Sequence, residues 1–206
     1  EIGATTGEPL SKSSQRDVKE QVLTEMMAVA FHKTTHIYAM ITKDHVIVNS
    51  PSSPTSEAML SMLRKAIGPL PVYPIIMQSL SSKLTSWVST GPVDEIELLE
   101  EIKLIGGDDE QAKLKGVDLL DDERIKSLVD DAYFVDELAI EFDHSISSNL
   151  TSEGVFKSVK FSDVLLEQND DIPKDQVLAR LDADIVIAGS EMVRLIDWLS
   201  GVFDDD

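Results

Sequence analysis

The chain alternates two hydrophobic rhythms, and that alternation restricts it to a mixed α+β fold. Val18, Val22, Met26 and Val29 recur near the helical period, with Leu23, Met27 and Ala30 beside them, which predicts a helix over residues 15–31. Ser14 and Asp17 supply a cap and an acidic first turn. Residues 35–42 (THIYAMIT) and 45–49 (HVIVN) are β-branched and aromatic, and the Lys43-Asp44 link makes them a hairpin. Residues 51–56 turn the chain. A helix through Met59, Leu60, Met62, Leu63 and Ile67 follows, stopped by Gly68. Residues 70–77, with their prolines, read as an edge strand.

The second half is expected to repeat that order. Residues 135–143 (VDELAIEFD) and 155–161 (VFKSVKF) read as strands, followed by a helix near 174–181. The run 183–188 (ADIVIA) reads as a strand and 190–202 as a closing helix. The expected architecture is α+β (mixed α/β), with two ββαβ units joined by a charged helical middle segment. One unit with its leading helix covers residues 1–92; the acidic middle and the second unit cover 93–206. Within the middle, Ile96 to Ile105 fits helix or strand until Gly106-Gly107 breaks it, and Asp121-Asp122-Glu123 opens a helix.

Charge divides the chain in two. Residues 1–90 carry eight Lys/Arg against seven Asp/Glu, whereas residues 91–206 carry ten against thirty-one, giving a net charge of −20. A surface this acidic repels nucleic acid over most of its area, so any nucleic-acid role must use a local basic strip. Most of the carboxylates read as a solvated face. The 206 residues are enough for a real core. No run approaches the roughly 18 apolar residues of a membrane span. The first seven residues lack a charged n-region and an apolar h-region, so no signal peptide is expected. The absence of cysteine excludes disulfides and thiolate metal sites and fits a reducing compartment.

Catalytic signatures are missing. His32, His36, His45 and His144 are too scattered for a ligand set. Asp182 and Asp184 flank Ala183, and two carboxylates so placed at a strand start present a metal in some nucleases; outward-facing acids are the plainer reading. There is no G-x-S-x-G, P-loop, G-x-G-x-x-G or H-E-x-x-H pattern. Gly106-Gly107 precedes Asp108-Asp109, which would repel a phosphate. The expectation is a protein that is not an enzyme, with no cofactor and no metal.

The scarce cations cluster. Lys12, Arg16 and Lys19 lie near one helix start, Lys33 at its far end, and Arg64-Lys65 at the end of the second helix. Lys113 and Lys115 are two apart, and Lys157 and Lys160 share a strand. An i, i+3 pair in a regular strand points to opposite faces, so only one of the latter two is expected to meet a given ligand.

Several stretches resemble the recombination-associated RdgC family. They are residues 22–31 (VLTEMMAVAF), 59–74 (MLSMLRKAIGPLPVYP), 84–91 (LTSWVSTG) and 155–184, especially FKSVKF and EQND. The resemblance covers nearly the whole chain and begins about a third of the way into the family's usual length. It implies a ring-shaped homodimer that encircles double-stranded DNA through a basic inner wall, without sequence preference, and restrains RecA-driven recombination. It implies a cytoplasmic, nucleoid-associated protein of bacterial or phage origin, with no membrane partner. Lys113 and Lys115 match a basic pair on the family's DNA-facing segment. An adjacent Lys-Gln position is Gly116-Val117 here, and an aromatic finger residue falls at about Thr34. The expected DNA-binding residues are Lys113, Lys115, Lys157, Lys160, Arg16 and Lys19. The alternative is a divergent acidic relative that acts through protein contacts, with a recombinase or another basic protein, or by mimicking DNA.

Overall fold

A computed structural model describes residues 11–31, 33–75 and 80–204. The expected loose entry segment before residue 11, His32 and the end of the expected strand at 76–77 lie outside the described residues. The chain divides into two units, one running to His36 and one from Ile37 onward.

The first unit carries helix α1 (Lys12–Val29). Its cap is Ser11, whose hydroxyl accepts the Ser14 N–H at 3.1 Å, three residues ahead of the expected start. None of its residues is buried.

The second unit opens with a short antiparallel hairpin, β1 (Ala39–Ile41) and β2 (Val46–Val48), as expected. Helix α2 (Ser53–Ile67) has a proline in its first turn and Arg64 and Lys65 in its last. Gly68 ends it at φ 90, a left-handed conformation that glycine adopts without strain. Residues 69–75 form no strand. Pro69, Pro71 and Pro74 remove three ladder donors from that short run, which leaves too few N–H groups to pair.

The core is a five-stranded antiparallel sheet with order β4-β3-β5-β6-β7. Its strands are β3 (Ile96–Ile105), β4 (Gln111–Lys115), β5 (Phe134–Phe142), β6 (Ile146–Thr151) and β7 (Phe156–Phe161). Side chains alternate across it. Ile102, Leu104, Leu138, Ile140, Phe142, Ile146 and Leu150 fill one face and are each at most 1% exposed. Helix α3 (Leu80–Thr90), helix α4 (Glu123–Asp130) and the long helix α6 (Val177–Asp204) cover that face, with the short helix α5 (Asp163–Leu166) between β7 and α6. Leu80, Leu84, Trp87 and Val88 recur at helical spacing on α3, and Leu195 and Leu199 do so on α6. Trp198 tilts against Phe142 with ring centroids 5.3 Å apart.

Helix α3 also repairs the sheet. Between Lys103 and Leu104 the β3–β5 register slips. Nearby, the Val135 N–H donates to Thr85 Oγ1 at 2.9 Å, while Ser81 Oγ donates to the Val135 carbonyl at 2.8 Å. Buried main-chain groups at an irregular point of a strand need such partners.

The α+β class holds, but its internal arrangement is not two ββαβ units. The acidic middle supplies β3 and β4 to the central sheet, with α4 its one α-helix and a 3₁₀ turn at Gly107–Asp109. A bulge between Leu98 and Ile102 breaks the alternation that would have marked β3 as a strand. Residues 183–188 lie inside α6. Their β-branched run is overridden because Ile196, Leu195 and Leu199, further along the same helix, reach the core only if the helix is continuous. Gly189 does not break it; Met40 of β1 packs so closely there that a Cβ would clash with its side chain. Among the described residues no helix is long and apolar enough to cross a membrane.

Leu138 is fully buried at the sheet centre and Met62 on α2 is 70% exposed. Leu138→Ala is expected to cost about 2–5 kcal/mol in urea unfolding, whereas Met62→Ala changes stability by less than about 0.5 kcal/mol.

Candidate nucleic-acid interface

The sheet's second face lies open, and the strand register decides which side chains it displays. On β4, Lys113 stands opposite Lys103 of β3 and Lys115 opposite Glu101. Lys103 in turn faces Glu137 of β5, which faces Thr151 of β6. Ser147 and Asn149 continue the row on β6 and pair with Lys160 and Lys157 of β7. All of these sit on the face turned away from the core.

Lys157 and Lys160 therefore point the same way, against the expectation that they oppose. Ser148 is opposed by two residues, Ser158 and Val159, and Ser158 takes φ 53. One extra residue in the strand restores the same-side phase for an i, i+3 pair. Lys103 was not among the residues expected from sequence. Its signal is its place between the inward Ile102 and Leu104, legible only once β3 is known to be a strand.

Five lysines thus share one sheet face, at or near the two edge strands. They are not bare. Lys113 Nζ lies 2.7 Å from Glu101 Oε1 and Lys115 Nζ 3.0 Å from Oε2. Lys103 pairs with Asp136 at 2.8 Å and Lys157 with Glu137 at 2.8 Å. Lys160 is exposed and makes no ion pair among the described residues. The hydrogen bond from Lys113, then that from Lys115, holds the Glu101 carboxyl below its ordinary range, and Glu101 raises Lys113 in return. Burial pushes Asp136 and Glu137 upward. Hydrogen bonds from Lys103 and Ser152 to Asp136, and from Lys157 and Asn149 to Glu137, outweigh it, so both end below their usual values.

Arg16 and Lys19 stand on α1, three residues apart and therefore on one side of that helix, exposed in the first unit. Asp182 and Asp184 do not frame a metal. Both lie on α6, where residues two apart diverge, and Asp184 accepts a hydrogen bond from the Asn169 amide. The hollow beside them is lined by Asp163, Glu167, Asp170 and Asp184 with Arg180, a sign of charge that repels phosphate. His45 meets Asp197 at 3.4 Å. The one group of metal-ligand types that converges among the described residues is Glu97, Glu141 and His144, whose ligand atoms lie within 4.8 Å of one another at an exposed end of the sheet.

The fold and this surface define an α+β protein with one helix-covered sheet face and one open face edged by lysines. The chain belongs to the RdgC family: over residues 1–206 it matches the family model described as "Putative exonuclease, RdgC". It is 36% identical over 205 residues to a "Recombination-associated protein RdgC" of Pseudoalteromonas atlantica, covering 97% of this chain and 68% of that relative. A protein of the same description from Pseudoalteromonas translucida is 34% identical, covering 97% and 67%. One from Proteus mirabilis is 35% identical, covering 93% and 65%. The chain thus spans about two thirds of the length of these relatives.

The carboxylates of this face fix a pH dependence. Their folded values are depressed, so the stability they contribute is fully present above the unfolded values, 4.5 for Glu and 3.8 for Asp. It is lost as pH falls through the folded values. Urea midpoints are expected to fall as pH drops below about 4.5, and Glu137→Gln is expected to show a smaller acid-induced loss than the parent chain.

Proposed function

We propose that this chain acts in recombination by binding double-stranded DNA without sequence preference, as part of a ring-shaped homodimer that modulates RecA. The observation that carries the reading is the gathering of Lys103, Lys113, Lys115, Lys157 and Lys160 on one open sheet face of an otherwise acidic chain. Flexible ammonium groups spread over two edge strands suit phosphates, which position a protein on duplex DNA without reading bases. An acidic exterior disfavours contact elsewhere and leaves that strip as the route of approach. Family membership supports the same reading, because the relatives are named recombination-associated proteins. The role is non-enzymatic. Although the family description names an exonuclease, Asp182 and Asp184 diverge on a helix. A nucleoid-associated location in the cytoplasm follows from the same reading.

A second reading has its own support. Four of the five lysines already meet carboxylates of this chain, so the acidic half is also suited to a basic protein such as a recombinase.

Titration against a random-sequence duplex at about 50 and 200 mM salt separates them. DNA binding is expected to weaken with salt, and Lys113→Ala/Lys115→Ala is expected to reduce the log–log slope by about 0.9, the share of the one phosphate that the two lysines hold together. Absence of binding at the lower salt supports the protein-partner reading instead. Breakdown of the duplex on adding Mg²⁺ contradicts the non-enzymatic assignment, and a strict monomer in light scattering contradicts the ring.

A further inference from the structure

We propose that Glu101 is an internal stand-in for phosphate, occupying an anion subsite built by Lys113 and Lys115 that a DNA phosphodiester takes by displacing it. The inference rests on the DNA-binding reading above and assigns one subsite within that face.

The geometry of this trio differs from that of its neighbours. Each oxygen of one carboxylate meets a different ammonium, Oε1 with Lys113 at 2.7 Å and Oε2 with Lys115 at 3.0 Å. A phosphodiester likewise offers two non-bridging oxygens sharing one negative charge, so the two lysines hold a site of matching form. Strand pairing sets their positions: Glu101 lies opposite Lys115, and Lys113 is two residues along the edge strand β4. Gly116 then closes the strand, donating its N–H to the Glu100 carbonyl at 2.7 Å with φ 66.

Exposure also separates the trio from the Lys103–Asp136 pair. The side chains of Lys113 and Lys115 are 47% and 63% exposed, above a carboxylate that is 25% exposed. An incoming anion therefore reaches the ammonium groups from the solvent side. The Lys103–Asp136 pair is one to one, and both side chains are only 26% exposed. Lys157 meets Glu137 one to one, and that carboxylate is further held by the Asn149 amide. Those pairs read as sheet ties. The trio alone carries two cations to one anion and keeps a net positive charge.

A resident carboxylate lowers affinity for an outside anion, because part of the lysines' charge is already answered. Exposed ion pairs are weak, so the exchange is accessible and its effect modest. Glu101→Gln keeps the side chain's size and removes the competing charge.

The test titrates a random-sequence duplex against the parent chain, Glu101→Gln, Lys113→Ala/Lys115→Ala and the triple variant, with thermal unfolding confirming that each is folded. Glu101→Gln is expected to tighten binding about two- to tenfold at 50 mM salt, with a steeper salt dependence. The gain is expected to vanish in the triple variant relative to the double. Unchanged or weaker binding by a folded Glu101→Gln overturns the inference, as does a gain that survives without the two lysines. If the parent chain and every variant fail to bind, the DNA-binding reading itself has failed. Parent binding with no gain from Glu101→Gln removes only the subsite assignment.

Discussion

The burial of one face of the antiparallel sheet is the constraint on which the rest depends. Away from the bulges strand side chains alternate, so once Ile102, Leu104, Leu138 and Leu150 turn inward beneath the helices, their immediate neighbours turn outward. Lys103, Glu101, Glu137 and Asn149 are turned away from the core by that arithmetic, not by a separate device. A shift of one residue in any pairing would bury a charge and expose the core, which makes the register of the charged face as secure as the core itself. The helices enforce it from behind: Ser81 and Thr85 of α3 hold the irregular point at Val135, and Trp198 of α6 packs on Phe142.

The open face balances attraction against order. Like charges directly opposite one another, such as Lys103 and Lys113, disfavour pairing. Interleaved carboxylates offset that cost and fix where each ammonium stands. Lysines on the exposed edges β4 and β7 also deter strand addition by other chains, a sufficient structural reason for cations at those positions. That reason does not account for Lys103, which sits one strand in from the edge. It also leaves open why two lysines share Glu101 where single pairs suffice elsewhere.

Much of the first half was legible before the structure. Helix α1, the β1–β2 hairpin, helix α2 and its stop at Gly68 follow from local signals that agree with one another. The second half failed where local and long-range preferences conflict. ADIVIA is strand-like taken alone, yet the packing of Leu195 and Leu199 requires one continuous helix. Residues 146–151 (ISSNLT) lack β-branched density, although Ile146, Ser148 and Leu150 alternate inward as β6. Helix α3 was hidden by its serines and threonines, while its Leu80, Leu84, Trp87 and Val88 stripe was readable. Of the candidate site, Lys113 and Lys115 share a face because β4 is a strand, which the expected helical middle segment did not foresee. The alignment of Lys157 with Lys160 was not legible either, since it depends on a bulge at Ser158 that sequence spacing does not reveal.

On the proposed reading, Lys103 and the lysines of the two sheet edges meet phosphate as one surface. Acetylation footprinting read by mass spectrometry, with and without a random-sequence duplex at low salt, tests it directly. Joint protection of Lys103, Lys113, Lys115, Lys157 and Lys160 is expected, with Lys43, Lys65 and Lys126 unchanged. Equal protection of every lysine, or protection confined to the second set, would contradict it.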